Sequence, residues 1–329
     1  MKTAIITGFS GQDGLYATEQ LLQRGYRVVG TVRSIARVHT TSLATQFQGV
    51  ELIEWDLLSQ SRLIEILRHY RPVEIYNFAA YSSGEGMYDD PLGIAEINGL
   101  AVVRILEAIR EVDGSIRFCQ ASSAEMFGEA SESPQSENTR FLPRSPYGAA
   151  KVYAHSMIHI YRQRYGVFGC SAILFNHESP RRSFGFVTRK ITHTAAQIKL
   201  GLANNLALCN LEARRDWGFA GDVVHAMWMM LQEQTAGDYV VATGETHSVR
   251  EFCDAAFAHL GLDYRDFVRE DPAFYRPLEP VQLVGNTRKL KLIGWSPRLN
   301  FLQMVGMMVD EDVRLLSKAG NQLDQWNRK

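Results

Sequence analysis

Thr3-Ala4-Ile5-Ile6-Thr7-Gly8-Phe9-Ser10-Gly11-Gln12-Asp13-Gly14-Leu15 decides the fold of this chain. Residues 3–6 are a short β-rich apolar run, and the glycines after it are spaced GxxGxxG where a helix over about 15–23 begins. Small residues at such a turn let the backbone approach a pyrophosphate, and the first N–H groups of the helix face it. A glycine turn can be purely structural, but its place between a first strand and a first helix argues for a nucleotide. Gly8, Gly11, Gln12, Asp13 and Gly14 are therefore the first candidates for cofactor binding.

Outward from this stretch, strands and helices alternate. Residues 26–30, 50–55, 73–77 and 116–121 read as strands, and 61–69 and about 94–111 as helices. Such alternation predicts an α/β fold, a Rossmann-type doubly wound parallel sheet whose ligand crevice lies beyond the carboxyl ends of its strands. From about residue 176 the order becomes irregular, with helices expected over 187–199 and 223–232, so a smaller α/β substrate-binding lobe is expected there. The expected division is 1–175 for the nucleotide-binding domain, with a return to it near 211–245, then 176–320 mainly for the substrate lobe. Residues 321–329 read as a frayed tail.

Composition excludes several function classes. The 329 residues are 46% hydrophobic and 22% charged with a formal net charge of −1, which gives no overall pull toward nucleic acid or an anionic membrane. Cys119, Cys170, Cys209 and Cys253 are far apart and form no CxxC pair, so neither a zinc site nor a disulfide framework is expected, and no metal. The apolar stretch 3–6 is too short for a signal segment and no run approaches a membrane span. A cytoplasmic protein is expected.

The end of the second strand reads Thr31-Val32-Arg33-Ser34, with Arg37 close behind and no acid. A guanidinium there can pair with a 2′-phosphate, which favours NADP over NAD. Asp56 and Leu57, after the third strand, are expected near the adenine, and residues 77–80, with Ala79 among them, along the cofactor's path. Farther on, Ser145-Pro146-Tyr147-Gly148-Ala149-Ala150-Lys151 contains YxxxK. If Pro146 opens a helix, Tyr147 and Lys151 share one face a turn apart, and the ammonium lowers the phenol's pKa toward the working range of a base. At an upstream strand end, Ser123 offers a hydroxyl and Glu125 a carboxyl. Redox chemistry alone needs only the hydroxyl; a carboxyl suits a second proton transfer, although a helix-capping role is its bland alternative.

The glycine spacing resembles that of extended short-chain dehydrogenases. Gln120-Ala121-Ser122-Ser123-Ala124-Glu125-Met126-Phe127-Gly128 and Pro143-Arg144-Ser145-Pro146-Tyr147-Gly148-Ala149-Ala150-Lys151 resemble the GDP-mannose 4,6-dehydratases. So do Leu174-Phe175-Asn176-His177-Glu178-Ser179-Pro180-Arg181-Arg182, Arg215-Asp216-Trp217-Gly218 and Ala242-Thr243-Gly244-Glu245, and the likeness extends to about residue 316. It implies catalysis by Ser123, Glu125, Tyr147 and Lys151, with Ser123 where the family usually has threonine. The implied reaction oxidises C4 with NADP⁺, eliminates water across C5 and C6, and returns the hydride to C6. The same resemblance assigns Ser82, Asn176, Lys190, Arg215 and Arg276 to a GDP-sugar substrate, and it implies a homo-oligomer, a dimer or tetramer. His177 is given no chemistry, and Trp217 and Trp295 read as packing aromatics.

The chain departs from the family pattern at Ala80-Tyr81-Ser82-Ser83-Gly84-Glu85-Gly86-Met87-Tyr88, a wall expected to border the hexose, so a modified GDP-sugar such as a GDP-heptose stays open as substrate. Two further readings stand beside the dehydratase. A reductase or epimerase of a 4-keto GDP-sugar would keep the glycine turn, Tyr147 and Lys151 without needing Glu125. A redox-sensing binding protein would commonly have lost Tyr147 and Lys151.

Overall fold

The computed structural model describes residues 1–36, 49–81, 88–270 and 282–326. Its centre is a seven-stranded parallel sheet. The first six strands are β1 (Thr3–Thr7), β2 (Arg27–Val32), β3 (Glu51–Glu54), β4 (Glu74–Asn77), β5 (Arg117–Ala121) and β6 (Gly169–Leu174). The later strands are β7 (Asn176–Glu178), β8 (Leu206–Leu208), β9 (Arg214–Arg215), β10 (Trp217–Phe219), β11 (Asp238–Val241), β12 (His247–Ser248) and β13 (Val268–Glu270). The sheet runs β3-β2-β1-β4-β5-β6-β11, with every pair parallel. The chain winds outward from β1 to β3 and then crosses to β4 on the other side of β1. The crevice beyond the carboxyl ends of β1 and β4 is therefore the switch point where such sheets hold ligands.

Both faces of the sheet are covered, which explains why its strands are near-continuous apolar runs. Helices Gln12–Gln23 and Ala220–Met230 cover one face through Ala17, Leu21, Val223 and Met227. Helices Gln60–Tyr70, Ala101–Val112 and Pro146–Tyr165 cover the other through Leu63, Ile105, Ile109 and Ile158. A separate core of Ile191, Trp217, Phe252, Phe257 and Met308 builds the smaller lobe.

Where element boundaries differ from the sequence expectation, local hydrogen bonding gives the reason. The second strand starts at Arg27 rather than 26, because Gly25, at φ +76°, ends the preceding helix and the Tyr26 N–H closes back onto the Leu21 carbonyl. The helix expected over about 94–111 begins at Pro91, where Asp90 caps it by accepting from the Gly93 N–H at 2.9 Å, and it passes through a π-helical turn, Glu96–Leu100, that periodicity does not reveal. The last helix, Phe301–Trp326, carries helical backbone into the stretch expected to fray, since each added residue of a nucleated helix gains a hydrogen bond.

β11 is held in the sheet by charge as well as pairing. Arg162 binds Asp238 at 2.6 and 3.2 Å and also donates to the Gly169 carbonyl, while Lys289 Nζ donates to the Asp238 carbonyl at 2.7 Å. Leu290 and Trp295 join the core under the sheet, so the chain returns to this domain once more beyond the 211–245 stretch.

Two glycines test the close approaches. A Cβ on Gly14 would lie 2.5 Å from the Gly8 carbonyl oxygen, whereas Gly166, at φ +67°, has open space around it. Gly14→Ala is expected to cost about 3 kcal/mol by overpacking, and Gly166→Ala only about 1 kcal/mol of backbone strain. Urea unfolding midpoints measure both, and equal losses would contradict the steric account.

Candidate active site

The glycine turn closes tightly over the carboxyl ends of β1 and β4. Gly8 has φ +64°, and a Cβ there would meet the Ala79 backbone nitrogen at 2.8 Å, so only glycine lets the two backbones meet. Gly11 donates to the Gly8 carbonyl at 3.0 Å and caps the helix Gln12–Gln23 without any side-chain bond, leaving the first-turn N–H groups to an outside acceptor. This cradle of bare backbone suits a pyrophosphate. Arg33 is exposed just past β2, and Asp56 is exposed past β3 with its carboxylate accepting from the Leu58 N–H. Leu57 and Ala79 are half-buried along the same edge of the sheet. Arg37, Ser82 and Arg276 lie outside the described residues.

Gln12 and Asp13 turn their side chains toward residues 177–179. The Gln12 amide donates to the His177 carbonyl at 3.1 Å and accepts from Ser179 Oγ at 2.7 Å. Asp13 Oδ2 receives His177 Nε2 at 3.1 Å. What these two residues present at the glycine turn is backbone.

A buried polar chain runs across the strand tips to the YxxxK pair. Thr7 Oγ1 donates to Asn77 Oδ1 and accepts from the Ala79 N–H at 3.1 Å. Asn77 Nδ2 donates to Gln120 Oε1, Gln120 Nε2 to the Ala121 carbonyl, and Lys151 Nζ to that same carbonyl, each at 2.7 Å. Pro146 does open the helix Pro146–Tyr165, behind the Ser145 cap, so Tyr147 and Lys151 share a face, with the ammonium 5.6 Å from the phenol ring centre. Ser123 caps the short turn Ala124–Met126 by accepting from the Glu125 N–H at 3.2 Å, and its hydroxyl also reaches Tyr147.

The electrostatics differ from the expected depression of the Tyr147 pKa. Burial pushes the phenol up to about 12; the hydrogen bond from Ser123 and the charge of Arg182 oppose this, and the charges of Glu125 and Asp13 reinforce it. The physical reason is that Tyr147, half-buried, is crowded by surrounding protein while the ammonium is directed at the Ala121 carbonyl. Burial likewise holds Lys151 down to about 8.

Asn176 opens β7 and pairs with Trp217 of β10, two residues beyond Arg215, which brings those two predicted contacts into one region. Arg215 lies in β9 opposite His247 of β12, and Lys190, on the helix Val187–Lys199, donates to the Ala207 carbonyl at 2.7 Å. Trp217 and Trp295 are both buried.

Three positioning residues escaped the sequence reading. Asn98, on the π turn, grips both the N–H and the carbonyl of Tyr81 at 2.8 and 3.0 Å, at the start of the predicted sugar wall. Asp216 accepts from the Thr243, Gly244 and Gly285 N–H groups and from the Thr243 hydroxyl, joining three segments next to Arg215. Arg182 pairs with buried Glu178 at 3.2 Å and stacks on Phe186. Asp216 and Arg182 lie inside quoted motifs, but nothing in the one-dimensional pattern separates Asn98 from an ordinary helical polar residue.

A profile of the GDP-mannose 4,6 dehydratase family matches residues 5–308. GDP-mannose 4,6 dehydratase 1 of Arabidopsis thaliana is 44% identical over 96% of this chain and 91% of its own length. The human GDP-mannose 4,6 dehydratase is 40% identical over 97% of this chain and 93% of its own. Among solved structures, the UDP-glucose 4-epimerase of Thermus thermophilus in complex with NAD superposes with a TM-score of 0.81 at 27% identity, covering 94% of this chain and 98% of that one. RMD from Pseudomonas aeruginosa, complexed with NADPH, superposes at 0.80 with 22% identity over 95% and 99%, a likeness of fold.

The buried ammonium has a stability signature. Because the folded pKa of Lys151 lies below that of the unfolded chain, its charged form opposes folding below about pH 8, and the penalty fades as pH rises toward the ordinary lysine value of 10.5. Lys151→Met is expected to be more stable than the parent at pH 7, by about 2 kcal/mol, with the gap closing toward about pH 10. Urea titrations at several pH values measure it, and a constant gap would contradict the assignment.

Proposed function

The chain belongs to the GDP-mannose 4,6-dehydratase family, and on that premise we propose that Ser123, Glu125, Tyr147 and Lys151 carry out an NADP-dependent dehydration at the crevice beyond β1 and β4. The enzyme is a hydro-lyase that converts GDP-mannose to the GDP-4-keto-6-deoxy sugar. Readings as a reductase, an epimerase or a redox-sensing binding protein are not favoured, since dehydratase relatives align over nearly the full chain at 38–44% identity. The observation that carries the proposal is geometric: the short turn that bears Glu125 is capped by Ser123, whose hydroxyl reaches the Tyr147 phenol, and the Lys151 ammonium lies 5.6 Å from that ring's centre.

A nicotinamide cofactor, when bound, supplies the hydride acceptor and regenerates within each turnover. Tyr147 takes the proton from the sugar C4 hydroxyl, with Ser123 hydrogen-bonded to the phenol and the Lys151 ammonium 5.6 Å from its ring centre. Oxidation at C4 makes the C5 proton acidic. Glu125 takes that proton and returns one to the departing C6 hydroxyl, which leaves as water; the C5–C6 double bond that remains is saturated by the returned hydride at C6 and, at C5, by a proton equivalent to the one Tyr147 took from O4. Exposed Arg33, with no acid at the end of β2, supports NADP rather than NAD through pairing with the 2′-phosphate. Asn176, Lys190 and Arg215 are proposed to hold the GDP-sugar, with Ser82 and Arg276 as further contacts by family resemblance.

We assign residues 1–175 with the later returns to cofactor binding and the lobe beyond 176 to the substrate. Leu92, Leu100, Tyr153 and Ile160 stand exposed on adjacent helices, Pro91–Ala95 with its continuation and Pro146–Tyr165, and support a homo-oligomer of at least two copies. Free, buried Cys119, Cys170 and Cys253 suit a reducing, cytoplasmic setting.

Incubation with GDP-mannose and catalytic NADP⁺ is expected to give a nucleotide sugar lighter by one water, by mass spectrometry, with no net NADPH. Tyr147→Phe should abolish turnover by at least about 100-fold while leaving nucleotide binding nearly intact. Glu125→Gln should stop elimination yet allow slow C4 oxidation, seen as NADPH absorbance. Full activity in either variant would overturn the assigned roles.

A further inference from the structure

His177 follows Asn176 in β7 and is buried, yet both of its ring nitrogens are engaged. Nδ1 lies 2.8 Å from the Phe175 carbonyl oxygen and Nε2 lies 3.1 Å from Asp13 Oδ2. A carbonyl oxygen can only accept, and an ionised carboxylate can only accept, so each nitrogen must donate a hydrogen. With Asp13 ionised, this geometry makes the ring an imidazolium. The groups around it are Asp13 from the helix Gln12–Gln23, Arg182 from the loop after β7 and, beyond Asp13, the Tyr147 phenol. Burial and Arg182 oppose the charge, but Asp13 and the two hydrogen bonds prevail and hold the His177 pKa above its ordinary value. Asp13 in turn is held below the usual carboxylate range against its own burial, by His177 and Arg182.

This pair is not isolated. Gln12 donates to the His177 backbone carbonyl and to Asp13, and accepts from Ser179. Farther along the same helix, Glu19 binds Arg181 through two bonds, and Arg181 lies over the Tyr16 ring. The first two turns of the helix behind the glycine turn are thus clasped to residues 177–181, the segment that begins beside Asn176.

We propose that the Asp13–His177 ion pair is a positioning device that couples the two ligand sites, so that ordering of the glycine turn by the nucleotide cofactor pre-sets Asn176 for the GDP-sugar. The inference rests on the proposed function for the identity of both ligands. Coupling of this kind is reciprocal and commonly amounts to about fivefold or more in affinity. It also has a pH sign. A raised His177 pKa means that the proton, and with it the coupling, is present at lower pH and is lost as pH rises through that value; Asp13, with its lowered pKa, stays ionised throughout this range.

The test is isothermal titration of GDP into the full-length protein with and without NADP⁺, for the parent, Asp13→Asn and His177→Gln. In the parent, NADP⁺ is expected to tighten GDP binding about tenfold at neutral pH, with the factor shrinking as pH rises. In either variant the factor should fall to near one, while each ligand alone still binds. A parent that binds both ligands without coupling, or variants that retain the full factor, would overturn the inference and leave the dehydratase reading intact. A parent that binds neither ligand would overturn that reading itself. Nitrogen-15 NMR of the parent's histidine side chains supplies a check that needs no folded variant. Two protonated ring nitrogens on His177 at neutral pH are expected, and a neutral ring would overturn the proposal.

Discussion

A parallel sheet that ends in a crevice leaves polar groups at its strand tips, and burying them without partners would cost about 1–3 kcal/mol each. Here Thr7, Asn77, Gln120, the Ala121 carbonyl and Lys151 answer one another in a single chain of hydrogen bonds across β1, β4 and β5. The rest of the site depends on this chain. It fixes the separation of β1 and β4 at the point where the glycine turn must approach Ala79, and it terminates on the lysine that stands over Tyr147. Because each member satisfies the next, the tips can be dry and rigid together, which is what a buried ammonium requires.

That rigidity comes with a cost the molecule carries in its ionisable groups. Tyr147 and Lys151 are both displaced toward their neutral forms; at neutral pH the charged Lys151 opposes folding, whereas Tyr147 is neutral folded or unfolded and does not. Compensation comes from elsewhere in the same sheet. The Arg162–Asp238 pair and the long apolar contacts of the flanking helices stabilise β6 and β11, on the side of the sheet away from the glycine turn.

The smaller lobe is attached to this frame through a few polar hubs rather than through one continuous core. Asp216 gathers three segments beside Arg215, and Asp13 with Gln12 clasps the strand that carries Asn176. Hubs of this type make ligand contacts depend on backbone geometry set far away in sequence. They also explain why Gln12 and Asp13, adjacent to a nucleotide turn, direct their side chains to residues 177–179.

By itself the sequence determined the alternation that makes a parallel sheet, the turn at Gly8, Gly11 and Gly14, and the helical register of Tyr147 and Lys151, because each follows from short-range spacing and sterics. The family resemblance was legible in the same way, from contiguous motifs. Only the tertiary structure decided that Asp13 meets His177, that Asn98 turns inward on a π turn, that Leu290 and Trp295 return to the first core, and that Tyr147 is pushed up rather than down. These are consequences of burial and of partners distant along the chain. A pKa or a hydrogen-bond partner depends on what encloses a group, and enclosure exists only once the chain has folded.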